Sequence, residues 1–127
     1  MSISAAHYDK FREQVVTDER VFTFTDRGEL LVYPIHSGEA VPFWSSRSRL
    51  EVIQKRLPKY RQWEITELSF IEFWSRLREL EQEGVQVGVN WSGERLIGYN
   101  VSIPDLRAGL KYWIDRLGKR ALLEPAE

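Results

Sequence analysis

The chain has 127 residues, of which 43% are hydrophobic, 13% aromatic and 29% charged, with a formal net charge of −1 and no cysteine. Such a length makes one ordinary domain with enough chain to bury a core unaided. The charge balance gives no whole-protein attraction to nucleic acid or to an anionic membrane, and the lack of cysteine excludes disulfides, thiolate metal sites and cysteine nucleophiles.

The first residues lack the basic start and apolar stretch of about 7–15 residues that mark a signal peptide. No apolar run approaches the roughly 20 residues that span a bilayer. With no cysteine to oxidise, the expected location is the cytoplasm, with no membrane association. From Ser4, a plausible N-cap, to about Thr17 the spacing predicts a helix, with Tyr8, Phe11 and Val15 on one face. Val21–Thr25 and Leu30–Tyr33 read as a hairpin around Asp26-Arg27-Gly28-Glu29, and Pro34 either stops the second strand or sits at a sheet edge. Ser37-Gly38 turns the chain into a third strand, Ala40–Phe43, completing an antiparallel meander.

Ser45 or Ser46 then caps a second helix, with Leu50, Ile53 and Leu57 on its inner face and Pro58 at its end. A short extended stretch, Gln62–Thr66, leads to Ser69-Phe70-Ile71-Glu72, the pattern of a capping box. The third helix that follows turns Phe70, Phe73, Trp74, Leu77 and Leu80 inward. Val85–Trp91 alternates apolar and polar residues without a break, which predicts a strand with its odd positions on the core. Leu96–Asn100 pairs back onto it, and Ser102-Ile103-Pro104-Asp105 opens a last helix with Leu106, Leu110, Trp113, Ile114 and Leu117 in its stripe. The expected fold is a single α+β domain over residues 1–120. An antiparallel sheet of four to six strands carries about four helices on one face, and residues 121–127 form a frayed tail.

Several of these segments recur together elsewhere. Tyr8-x-x-Phe11, Val21-Phe22, the Gly28 hairpin, Val41-Pro42-Phe43-Trp44-Ser45, the Ile65/Leu68/Phe70/Phe73 run and Gly84-Val85-Gln86-Val87-Gly88-Val89 follow in an order that resembles a bacterial family catalogued as domain of unknown function 2750. The likeness covers roughly residues 8 to 117. It implies a small single-domain protein and brings no activity, cofactor or catalytic residue with it.

No motif assigns a chemistry. His7 and His36 lack a third ligand at any metal spacing, so no metal is expected, and surface positions are the plainer reading of both. A Ser-His-acid set built from His36 and Asp26 has no nucleophile elbow behind it. Asp26, Glu39, Glu64, Asp105 and Asp115 are carboxylates of the sort any such chain contains, and the glycines make no phosphate loop. No catalytic residue and no cofactor is therefore expected.

Two kinds of feature remain. The segment around the second helix is basic (Arg47, Arg49, Lys55, Arg56, Lys59, Arg61 against Glu51), whereas the third helix and its approach are acidic (Glu64, Glu67, Glu72, Glu79, Glu81, Glu83 against Arg76 and Arg78). Opposite signs on neighbouring helices suit intramolecular complementarity, and they also suit self-association as a homodimer. The second feature is aromatic: Trp44, Trp63 and Trp91 fall at strand ends or connections, with Tyr33 and Tyr99 in the same group, and pack either as a small core or as the lining of a groove. The candidate binding residues are accordingly Trp44, Ser45, Ser46, Arg47, Arg49, Trp63, Asn90 and Trp91. A non-enzymatic binding or interaction protein, such as an adaptor or toxin-neutralising partner, is the favoured expectation. The alternative is a small-molecule or anion-binding module, or an enzyme without a recognisable motif, with a Trp-lined pocket near the start of the second helix. Nucleic acid is disfavoured by the overall charge.

Overall fold

The computed structural model describes residues 3–124, the side chains of Ile3, Ser4 and Ile97 excepted. Helix α1 (Ile3–Asp18) places Tyr8, Phe11, Val15 and Val16 against the core; the expected capping role of Ser4 lies outside the described residues. Strands β1 (Arg20–Asp26) and β2 (Glu29–Leu30) form the expected hairpin, turning through Arg27 at φ 52° and Gly28 at φ 82°. Two successive left-handed residues fit the right-handed twist of the paired strands, and glycine adopts that conformation without a Cβ penalty.

The meander does not continue as one sheet. After Leu31 the chain leaves β1, and β3 (Tyr33–Ile35) pairs antiparallel with β4 (Gly38–Phe43) in a separate sheet, with Pro34 on its edge. Proline is tolerated there because an edge residue owes no hydrogen bond outward. Helix α2 (Arg47–Arg56) and a 3-10 turn (Pro58–Tyr60) follow, then β5 (Glu64–Ser69), which pairs antiparallel with β1 over six residues. After α3 (Phe70–Gln82) come β6 (Gln86–Ser92), β7 (Ile97–Val101) and α4 (Ile103–Arg116). The result is a three-stranded sheet in the order β2-β1-β5 and a four-stranded sheet in the order β3-β4-β6-β7. Pairing within both is antiparallel except between β4 and β6, which run parallel. The sheets meet where Phe22 and Trp44 exchange backbone hydrogen bonds of 2.8 Å and Thr23 Oγ1 donates to the Pro42 carbonyl at 2.8 Å.

The fold is α+β, but its helices do not share a face. Val41 and Phe43 of β4 join Phe11, Phe70, Phe73, Leu77, Leu106 and Leu110 in a core under α1, α3 and α4. Ala40 and Trp44 point the other way, into a second core with Phe22, Phe24, Leu50, Ile53 and Tyr60, which α2 covers. Period-two alternation along β4 is thus used on both sides. The C-terminal segment expected to fray instead makes a 3-10 turn at Arg120–Leu123, with Leu122 and Leu123 packed on the first core; residues 125–127 lie outside the described residues.

The capping box at the start of α3 is fully formed: Glu72 N–H donates to Ser69 Oγ at 3.2 Å, and Ser69 N–H donates to Glu72 Oε1 at 2.9 Å. Ser69→Ala should cost about 1 kcal/mol in urea titration. The hydrogen bonds from Ser69 hold the Glu72 carboxyl below its ordinary 4.5. Because the folded value is depressed, this small contribution to stability is complete above the unfolded value and is lost as pH falls through the folded one. Glu72→Gln should remove that acid-side slope; an unchanged slope would assign it to other carboxylates.

Candidate functional site

Strand β6 does not keep the alternation its sequence suggests. Val87 and Val89 face the first core, whereas Trp91 packs in the second, on the opposite side of the sheet. The change of face occurs at a β-bulge: Val89 pairs with Tyr99 and Ser92 with Ile97, so Asn90 and Trp91 stand opposite Gly98 alone. Asn90 takes φ 48°, a left-handed conformation that asparagine tolerates better than most residues. The displaced indole lies directly over two glycines. A Cβ on Gly88 would come 2.2 Å from its Cε2, and one on Gly98 would come 2.8 Å from its Cδ1.

Hydrogen bonds hold this corner to the start of α2. Trp44 Nε1 donates to the Trp91 carbonyl at 2.8 Å, and Trp91 Nε1 donates to Asn100 Oδ1 at 3.0 Å. Ser45 N–H donates to Asn90 Oδ1 at 2.9 Å, and Asn90 Nδ2 donates back to Ser45 Oγ at 3.2 Å. Asn90→Ala removes both links and leaves alanine at a positive φ, so a loss of about 2–3 kcal/mol is expected in urea titration. Asn90→Gly forfeits the same hydrogen bonds but accepts the backbone, and should recover about 1 kcal/mol of that loss. Equal costs for the two variants would remove backbone strain from the account.

The tryptophans therefore build a core and do not line a groove together. Trp44 is 0% exposed and Trp91 2%, and Trp63 is half-buried against the same cluster. Ser45 is buried on Asn90, while the hydroxyl of Ser46, the N-cap of α2, makes no capping bond and lies 3.3 Å from that of Ser48. Arg47 turns toward the Phe22 ring, its guanidinium carbon 5.6 Å from the centroid. Farther along the basic segment, Arg61 donates to the carbonyls of Gln54 and Lys55 at the end of α2, and Lys59 lies over the Tyr60 ring. The acidic residues do not pair with this segment. Glu67 meets Arg20 of β1, and Glu81 meets Arg107 of α4.

Arg49 and Asn90, of the residues singled out in the sequence, do meet at an opening. They line a cavity of about 190 Å³ together with His7, Lys10 and Gln14 of α1, Val89 and Ser92 of β6, and Gly98 and Tyr99 of β7. The wall contains an imidazole, an ammonium and a guanidinium, and no carboxylate. Lys10 and Arg49 are among the twelve lysines and arginines of the chain that form no salt bridge with an acid among the described residues. Tyr99 is held in place by its neighbour, its ring stacked on Tyr8 at 5.0 Å. Burial pushes the Tyr8 hydroxyl up to about 12, against the opposing pull of the Arg12 guanidinium, which lies 4.1 Å from the ring centroid. Tyr8 is a supporting ring, not a proton carrier near neutral pH.

Of the wall residues on α1, Lys10 and Gln14 were missed from the sequence, and His7 was read only as a surface residue. His7, Lys10 and Gln14 recur at i, i+3 and i+7, a polar stripe one residue out of step with Tyr8, Phe11 and Val15. The signal was present, but such a stripe is the ordinary wet side of an amphipathic helix until something is seen to face it. No cluster of three or more His, Asp or Glu able to hold a metal occurs among the described residues. No helix among them is long and apolar enough to cross a membrane.

The model of a family described as protein of unknown function (DUF2750) matches residues 8–110. The chain belongs to that family. The matched span of the DUF2750 domain includes the second core, all buried residues of the first core except Ile114, the Asn90 bulge and every wall residue of the basic cavity except His7. A search of curated proteins finds no match.

Proposed function

We propose that this DUF2750 protein is a cytoplasmic binding module for a small anion, taken into the cavity between α1, the start of α2 and the β6–β7 bulge. One observation carries the reading. Lys10 and Arg49 bring two cationic heads to one concave wall with no carboxylate in it, in a chain whose net charge is −1. Cationic side chains that share one wall favour an anion there, which accepts charge-assisted hydrogen bonds from them. Attraction in this case is local, since the whole-molecule field offers none. Asn90, Ser92 and Gln14 add neutral donors to orient an oxyanion. The burial of the tryptophans favours this reading over the contact-surface role expected from the sequence, because rings at 0% and 2% exposure offer a protein partner little to grip.

Titration calorimetry with inorganic phosphate at low ionic strength tests the proposal. Hydrogen bonds to charged groups contribute about 1.5–3 kcal/mol, so Lys10→Ala and Arg49→Ala should each weaken binding roughly 10- to 100-fold. Binding should also weaken with added salt. Absence of binding at millimolar phosphate, or binding indifferent to both substitutions, sinks the reading.

A further inference from the structure

The basic cavity has an apolar neighbour. A groove of about 250 Å³ runs along α2, floored by Val52, Ile53 and Leu57 and by the edge of Trp91, and Arg49 and Ser92 belong to its wall as well as to that of the basic cavity. Val52, on the exposed side of the helix, is 48% open to solvent, although α2 otherwise turns charged and polar residues outward. Ile53 and Trp91 are core residues that show only an edge, so the floor is fixed by packing in the second core. Each space alone is smaller than the roughly 300 Å³ at which sites for drug-sized ligands begin; joined across Arg49 they exceed it.

Resting on the anion-binding reading above, we infer that the ligand is amphiphilic: a phosphate or carboxylate head with a short apolar arm. The head lies between Lys10 and Arg49, and the arm lies along Val52 and Leu57 over the edge of Trp91. Arg49 serves both halves, its guanidinium toward the anion and its methylene stem toward the arm, as long basic side chains commonly do. The two walls ask for opposite properties in one molecule, which excludes a bare inorganic ion as the best ligand and excludes a neutral hydrocarbon.

The test compares inorganic phosphate, methyl phosphate, hexyl phosphate and hexylammonium by calorimetry on the wild-type protein and on Val52→Ser, with circular dichroism to check that the variant is folded. Burial of apolar surface is worth roughly fourfold in affinity per methylene. Hexyl phosphate should therefore bind at least about tenfold tighter than methyl phosphate even if only part of its chain is covered. Hexylammonium should not bind, and Val52→Ser should shrink the hexyl-to-methyl ratio. Equal affinities for the two esters overturn the amphiphile while leaving the anion site standing, whereas no binding by any phosphate removes both. Hexylammonium binding as tightly as hexyl phosphate shows that the anionic head is not recognised, and a ratio untouched by Val52→Ser shows that the arm does not lie in this groove; either overturns the inference.

Discussion

Trp44→Ala is expected to cost about 3–5 kcal/mol, a large part of the roughly 5–15 kcal/mol that a domain of this size has in total. The ring is fully enclosed, edge-on to Phe24 at 5.3 Å, and its backbone bridges the two sheets at Phe22. Its Nε1 also satisfies the carbonyl of Trp91, a residue that is itself buried. Trp44→Phe separates these contributions, since it keeps most of the apolar fill and orphans that carbonyl at about 1–3 kcal/mol. Trp91→Phe makes the comparison. The indole it removes donates to Asn100, an exposed side chain whose oxygen can return to water. Urea midpoints should therefore rank Trp44→Phe below Trp91→Phe, and the reverse order would show that the buried N–H···O bond is not what distinguishes the two tryptophans.

Gly88→Ala should be nearly as damaging for a single methyl group. The new Cβ would stand 2.2 Å from Trp91 Cε2 and 2.5 Å from both Cζ2 and Nε1, in a strand whose backbone is paired on both sides. The ring has little room to retreat. Gly98 lies against its Cδ1, and Tyr33 meets it edge-on with centroids 5.6 Å apart. A loss of about 3 kcal/mol, the upper end of ordinary overpacking penalties, is expected by thermal or urea denaturation. The cost should fall sharply in a Trp91→Leu background, where the shorter side chain leaves space, giving a coupling of more than about 1 kcal/mol in the double-mutant cycle. A Gly88→Ala protein within about 1 kcal/mol of wild type would mean that the indole is not fixed over the glycine.

Local physics was readable in the residues, and long-range pairing was not. Tyr8/Phe11/Val15 and Leu106/Leu110/Ile114 recur at helical spacing, and each set is buried. Ser69 and Glu72 form their reciprocal bonds because both partners lie within one turn. The parallel register of Val41 on Val87 has no local signature, for it joins segments with α2, β5 and α3 between them. Nor does the alternation Val87-x-Val89-x-Trp91 betray its change of face. The break depends on one backbone angle at Asn90, and nothing in the sequence ties it to Gly88 and Gly98, the residues that make room for the indole. The candidate site divides in the same way. Arg49 and Asn90 were singled out and do meet at the cavity, while Trp44 and Ser45 were singled out and are structural. Lys10 gains significance only from what packs opposite α1.

The parallel pairing of β4 with β6 also sets an order of assembly. One edge of β4 is covered early by β3, its neighbour in sequence, but its other edge must wait until residues 86–89 have been made and α2, β5 and α3 have been accommodated between. During synthesis that edge, carrying Val41 and Phe43, stays open while about forty further residues emerge, an exposure that parallel ladders impose and hairpins avoid. The step that closes it brings Val87 and Val89 against β4, and the Asn90 bulge and the basic cavity lie just beyond those residues on the same strand. The basic cavity is thus among the last parts of the molecule to exist, and a chain stalled before β6 would leave that edge of β4 open and have no cavity.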